Sequence, residues 1–154
     1  SNKYNLPIIE DSAQAIGSKY NGKKSGSFGE FGCFSAHPLK NLNACGDSGF
    51  ITTNNKNYYK KLKLLINHGL KNRNMSSSFA YVSRMDTLQA TILNYRLKNL
   101  DEKIKKRRNI ASIYFKKLNS LPILLPIEAK GEYNSYHLFV IQTKEREECN
   151  YSCT

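Results

Sequence analysis

No apolar run in these 154 residues approaches the roughly 20 positions that a membrane-spanning helix needs, so no segment reads as a span. No secretory signal pattern is visible. Internal repeats and low-complexity tracts are also missing. The apolar fraction of 40% is that of a globular domain with a real core, not of a disordered chain. Cysteine is sparse and never occurs as a CxxC pair. Cys33 and Cys45 lie in or beside apolar segments, and Cys149 and Cys153 form a C-x3-C pair in a polar tail. Without partner histidines that pair is thin support for zinc, and reduced thiols in a cytoplasmic protein are the simplest account. Acid is scarce too, with 12 Asp and Glu against 24 Lys and Arg and a net charge of +12. Such a balance suits nucleic acid, a membrane surface or an anionic metabolite. The lysines are spread along the whole chain rather than gathered in a stripe, which favours a solvated surface. The first residue is Ser1, not Met, and a strand-like run follows almost at once, which reads as a piece of a longer polypeptide.

The pattern along the chain alternates strands and helices, an α/β layer architecture. Leu6 to Ile9 reads as a short buried strand that ends in Glu10-Asp11. Ser12 to Ile16 fits a helical turn, and Tyr20 to Gly29 a loop or small hairpin. Gly32 to Ser35 and Phe50 to Thr53 read as further buried strands. Asn54-Asn55 caps a helix from Lys56 to Ile66 with Tyr59, Leu62, Leu65 and Ile66 inward. Asn67 to Ser78 reads as a polar loop. A helix from Met85 to Leu97 turns Leu88, Ile92 and Leu93 inward. A long basic helix from Asp101 to Leu118 carries Ile104, Ile110, Ile113 and Leu118 as its stripe. Leu121-Pro122 ends it, and Tyr136 to Ile141 reads as a strand.

Within this pattern one stretch carries chemistry: GCFSAHPLKNLNACGDSGFITTNN, residues 32 to 55. Lys40 sits there in an apolar, glycine-rich loop between two strands. A lysine desolvated in such a place has a lowered pKa and becomes a nucleophile toward carbonyls. The commonest protein-held carbonyl is pyridoxal phosphate, bound as a Schiff base with an acid paired to its ring nitrogen. Asp11, at the end of the first strand, lies 29 residues before Lys40, and Ser35 offers a hydroxyl to a phosphate five residues before it. Open α/β sheets build their sites at such strand ends. On spacing alone, a surface lysine among many remains the alternative.

Several motifs in order lift this ambiguity. IEDSAQAIGSKYNGKKSGSFGEFGCFSAHPLKNLNACGDSGFITTNN resembles the central signature of the DegT/DnrJ/EryC1/StrS family of sugar aminotransferases. The likeness continues in NHGL (67–70), SRMDTLQATIL (83–93) and SYHLFVI (135–141). It implies a partial aminotransferase fold type I. Residues 1–120 would be the C-terminal part of the large pyridoxal-phosphate domain with its linking helices, and residues 121–154 the start of a small domain. It implies that Lys40 is the Schiff-base lysine and proton carrier, and that Asp11 holds the pyridine nitrogen protonated. Gln14 would lie against the ring or its phenolic oxygen, and Ser35 would hold the phosphate. His37-Pro38 shapes the lysine loop, and His37 is either a packed loop residue or a ligand contact. His68 either lines the substrate pocket or bonds its own loop. His137 is a candidate near the sugar. Arg84 either reaches an anionic group, in a region that serves the neighbouring subunit's site in relatives, or pairs with Asp86.

The sequence also departs from the family. Val82 stands where many relatives have an asparagine that reaches the partner's phosphate, and Ser48 replaces a usual glycine. Asn43 and Cys45 stand where smaller residues are common. A dehydratase branch has histidine in place of the lysine, so Lys40 favours amino transfer. Family members are well over twice as long, so a truncated or excerpted chain is expected. The expected activity is transfer of an amino group, from glutamate, to a nucleotide-linked keto sugar, in a cytoplasmic homodimer that serves polysaccharide biosynthesis. The alternative is a catalytically incomplete module for basic binding or oligomerisation, with Lys103, Lys105, Lys106, Arg107 and Arg108 as its patch. Lacking interleaved aromatics, that patch suits nucleic acid poorly.

Overall fold

The computed structural model describes residues 3–144. Three strands form the central sheet. β1 (Ile9–Asp11) runs parallel to β4 (Phe31–Ser35), which pairs antiparallel with β5 (Gly49–Thr52) in the order β1-β4-β5. The register sets Asp11 opposite Cys33 and Ser35 opposite Gly49. Between β1 and β4 the chain makes a tight hairpin of β2 (Lys19–Tyr20) and β3 (Lys23–Lys24). Its turn residues Asn21 and Gly22 both have positive φ, 47° and 80°, the backbone that two-residue hairpins favour. β8 (Glu132–Tyr133) adds to the other edge of β2.

The helices follow their sequence signals with shifted faces. α1 (Lys56–Leu65) starts at Asn55, whose side chain accepts from the amides of Asn57 and Tyr58. Tyr58, not the expected Tyr59, is the half-buried tyrosine, and its ring meets Phe31 at 4.9 Å. α2 (Thr87–Leu97) buries Leu93 and half-buries Ile92, but Leu88 in its first turn is exposed. α3 (Leu100–Leu118) buries Leu100, Ile104 and Ala111 and half-buries Arg107, Arg108, Phe115 and Leu118. The expected Ile110 and Ile113 are half-exposed, at 50% each. Ile113 is nine positions past Ile104, which at about 100° per residue puts it on the opposite side of the helix. Arginine stems fill the inward rows instead, a use that a hydrophobicity count does not see.

Three further readings change. The first strand begins at Ile9 rather than Leu6. It is an edge strand with one ladder partner, which leaves Leu6, Ile8 and Ile9 exposed. The expected polar loop 67–78 contains a hairpin, β6 (Leu70–Asn72) with β7 (Met75–Ser76). Cross-strand pairing there is carried by backbone, so polar side chains did not prevent it. Tyr136 to Ile141 is not a strand. Tyr136 has φ of 47°, which breaks extended geometry, and only an isolated bridge, Leu124 with Gln142, closes this region. The core gathers Ala36, Leu42, Ala44, Leu93, Leu100 and Ile104. The loop that carries Lys40 is therefore anchored in the core by its own small apolar residues. The tail cysteines Cys149 and Cys153 lie outside the described residues.

Candidate active site

Asp11 closes β1, and Ser12 continues the ladder by donating its N–H to the Cys33 carbonyl at 2.8 Å. One Asp11 oxygen, Oδ1, accepts from the Ala13 amide at 3.0 Å. This turn fixes the carboxylate and leaves its second oxygen without a partner among the described residues. The neighbouring Glu10 faces the other way and accepts from the amides of Gly26, Phe28 and Gly29, which ties the glycine-rich loop to β1. The sequence analysis assigned no role to Glu10. Its place in a Glu-Asp pair at a strand end, where alternate side chains point to opposite faces, was the available signal.

Ser35 closes β4 two residues beyond Cys33, about 7 Å along the strand. Its Oγ accepts from the His37 amide at 3.3 Å, and its own O–H has no partner among the described residues. From there the chain turns through His37-Pro38 to Lys40 and back. The Lys40 amide donates to the His37 carbonyl at 2.9 Å, and the Ala44 amide donates to the Ala36 carbonyl at 2.8 Å, closing the loop at its base. Asn41, buried, donates to the Ser135 carbonyl at 3.1 Å. The half-buried Lys40 side chain itself makes no ion pair or hydrogen bond among the described residues. The fold thus holds its backbone tightly and leaves its amine free.

A cleft of about 980 Å³ has Asp11, Ser35, Asp47, Ser48 and Arg84 in its lining, and Lys40 is not part of that lining. Ser48 Oγ is buried without a partner among the described residues. Arg84 forms no ion pair with Asp86 among the described residues. A second hollow of about 720 Å³ shares Asp11 and adds Gln14, Tyr20 and Tyr133. Hydroxyls and a guanidinium therefore meet a carboxylate with a spare oxygen. That set fits a small molecule with an anionic group and a protonated ring nitrogen, as pyridoxal phosphate has.

The histidines divide. His37 uses Nδ1 to accept from the Leu39 amide at 3.2 Å, a structural bond within the loop. Its Nε2 lies 3.8 Å from an oxygen of Asp47, whose side chain is almost fully exposed, so this pair contributes little. His68 is exposed, with φ of 54°, at the left-handed turn after α1, and lines neither hollow. His137 has its Nδ1 buried and unpartnered. Burial first, and then the charges of Lys40 and Arg107, hold its pKa below the ordinary imidazole value of 6.5. The structure therefore puts His137 within electrostatic reach of Lys40. Val82 bridges Asn67 through its backbone and exposes its side chain.

Comparison with known proteins bears on the fold and the family. In *Streptomyces venezuelae* DesV, whose crystal structure contains a ketimine intermediate, the same fold covers 96% of this chain and 40% of that one, with a TM-score of 0.92 and 34% identity. The fold is thus part of an aminotransferase of fold type I. The model of the DegT/DnrJ/EryC1/StrS aminotransferase family matches residues 1–152, and the chain belongs to that family. The UDP-N-acetyl-3-dehydro-alpha-D-glucosamine 3-aminotransferase of *Acidithiobacillus ferrooxidans* is 40% identical over 94% of this chain and 39% of its own length. The dTDP-3-amino-3,6-dideoxy-alpha-D-galactopyranose transaminase of *Aneurinibacillus thermoaerophilus* is 42% identical over 97% of this chain and 41% of its own length. The chain thus spans about two fifths of these relatives.

Proposed function

We propose that this chain carries the cofactor lysine of a pyridoxal-phosphate aminotransferase that moves an amino group from glutamate to a nucleotide-linked keto sugar. The observation that carries this reading is the free amine of Lys40, on a loop held at its backbone that leaves β4 at Ser35, with Asp11 at the end of the neighbouring strand β1. Bound pyridoxal phosphate supplies an electron sink that lets an amino group pass between two carbonyl compounds. Lys40 would be the residue that holds it and that carries the proton at the reacting carbon. Asp11, with one oxygen spare, accepts from the ring nitrogen and keeps it protonated. Ser35 and Ser48 donate hydroxyls to the phosphate, and Gln14 stands beside the ring. Arg84 and His137 serve the anionic substrate or the neighbouring subunit's site.

The relatives' names support a nucleotide-linked sugar as acceptor. The same reading takes the complete enzyme as a homodimer in the cytoplasm that serves polysaccharide assembly. The free thiols of Cys33 and Cys45 suit that compartment, and no helix among the described residues is long and apolar enough to cross a membrane. It also divides the chain near residue 120 into a large and a small domain. The alternative of a basic binding module has a reduced patch, in which Lys103 and Lys105 stay exposed. Arg107 donates to the carbonyls of Tyr136 and His137, Arg108 grips Glu128, and Lys106 pairs with Glu102.

Incubation with pyridoxal phosphate, borohydride reduction and peptide mapping test the proposal on the protein as its gene encodes it. A reduced adduct on Lys40 that is absent in Lys40→Ala is the expected result. Adducts scattered over surface lysines, with none on Lys40, would refute it.

A further inference from the structure

α2 presents two polar side chains seven positions apart, Gln89 and Arg96, which share one helix face at 3.6 residues per turn. Both reach the returning limb of the lysine loop. The Cys45 amide donates to Gln89 Oε1 at 2.8 Å. Arg96 Nη1 donates to the Asn43 carbonyl at 2.8 Å and to the Ala44 carbonyl at 3.4 Å, and Nη2 lies 3.9 Å from Cys45 Sγ. No carboxylate pairs with Arg96 among the described residues, so its donors serve the loop. The outgoing limb closes on itself, through Lys40 N–H to the His37 carbonyl and Asn43 Nδ2 to the Pro38 carbonyl at 2.8 Å. The returning limb has one such bond, from the Ala44 amide, so α2 supplies most of its polar support.

We infer that Gln89 and Arg96 are positioning residues for Lys40. By gripping backbone at three successive residues, 43 to 45, they fix where the loop turns and so where the amine stands relative to Asp11 and Ser35. The chemical consequence rests on the reading of Lys40 as the cofactor lysine, whereas the grip itself does not. Misplacing a reacting group by about an ångström costs up to about a hundredfold in rate, so an effect on Lys40 chemistry should exceed any effect on folding.

The test compares Arg96→Ala, Arg96→Lys and Gln89→Ala with the parent, in the protein as its gene encodes it. Two quantities are read: the rate and pH midpoint of pyridoxal-phosphate labelling at Lys40, and amide hydrogen exchange across residues 37–45. In Arg96→Ala, labelling slows about tenfold or more, its pH midpoint moves, and exchange in 37–45 quickens while α1 and α3 keep their protection. Arg96→Lys recovers part of the rate, since an ammonium still donates to one carbonyl. A purely structural role would lower stability without moving the pH midpoint. Labelling at the parent rate with an unmoved midpoint in both alanine variants would overturn the inference. If Arg96→Ala does not fold, Gln89→Ala and Arg96→Lys decide by the same criteria. If the parent itself is not labelled on Lys40, the cofactor reading fails instead. Exchange then decides the grip alone, quickened in the variants if it holds and unchanged if it does not.

Discussion

Truncating Arg108 tests how residues 121–144 are fastened to α3. Its guanidinium donates to both oxygens of Glu128, at 2.6 and 3.0 Å, and to the Asn134 carbonyl at 2.7 Å. The ring of Tyr133 lies 4.0 Å from its central carbon. Both side chains of the ion pair are about three-quarters buried, at 26% and 25% exposure. A bidentate, charge-assisted pair of this kind contributes about 1.5 kcal/mol once partial screening is allowed for. The carbonyl bond adds about 1 kcal/mol and the cation over the ring about 0.5 kcal/mol. Arg108→Ala should therefore cost about 3 kcal/mol, which for a chain of this size lowers the melting temperature by about 6–12 °C. Differential scanning calorimetry at neutral pH measures it, and a fall below about 2 °C would refute the argument.

The same pair fixes the sign of a pH effect. The hydrogen bond from Arg108 holds the Glu128 carboxyl below its ordinary value of 4.5, against the opposing effect of burial and with help from the Asn134 amide. A carboxylate with a depressed folded pKa stabilises the protein above its unfolded value, and that contribution disappears as pH falls through the folded value. The gap between parent and Arg108→Ala should stay constant from pH 7 to about pH 5 and narrow below 4.5. Glu128→Gln keeps the shape but not the charge, so it should lose the acid-side narrowing and only part of the stability.

Other substitutions probe other joints. Glu10→Ala removes the acceptor of three loop amides and should cost about 3 kcal/mol in urea unfolding, since those donors then lack a charged partner. In Gly32→Ala the new methyl would meet the backbone of Gly26 at 2.4 Å, and backbone cannot swing aside, so little folded protein should be recovered in solubility and circular dichroism assays. Ile104→Ala empties a core site that is 2% exposed and should cost about 2–5 kcal/mol, read by the same unfolding curves. In Lys40→Ala one of the two cations beside His137 is gone, and the imidazole should titrate at higher pH by NMR. No change would mean that burial and Arg107, without Lys40, depress it.

What the sequence disclosed, and what it hid, follows from how each feature is determined. The lysine loop, the Asp11 strand end and a small hairpin somewhere in Tyr20 to Gly29 were legible because each depends on residues near in sequence: a motif of fixed spacing, a strand pattern, a glycine-rich composition. The inward face of α3 was misread because it depends on partners far away. Arg107 and Arg108 turn inward only because the carbonyls of Tyr136, His137 and Asn134 and the carboxylate of Glu128 wait there. Nothing local to the helix says so. Leu6, Ile8, Leu88, Ile110 and Ile113 fail in the opposite sense: apolar residues counted as core are exposed.

That pattern of error bears on the site. Asp11, Ser35, His37 and Lys40 lie at a strand end or on the loop joining two strands, where register in a three-stranded sheet places them, whereas Gln14, His68, Arg84 and His137 lie outside it. Of the residues missed, Gln89 and Arg96 bond to backbone of that loop, Glu10 to backbone of the glycine-rich loop, and Asn41 reaches from the loop to the Ser135 carbonyl. A reader of sequence sees the groups that would meet a ligand, because chemistry restricts their type. The groups that hold them are restricted only by reach and by having a donor or acceptor to offer, so many residue types could serve and no motif marks them. Ser135 illustrates the point. It is fully buried, exchanges hydrogen bonds with Ser18 and gives its carbonyl to Asn41. It thereby ties residues 121–144 to the loop one position past Lys40. Replacing it by alanine removes only the bond that its hydroxyl accepts from Ser18 and keeps both backbone bonds, to Ser18 and to Asn41, so the lysine loop should stay in place while the junction with the β2–β3 hairpin loosens.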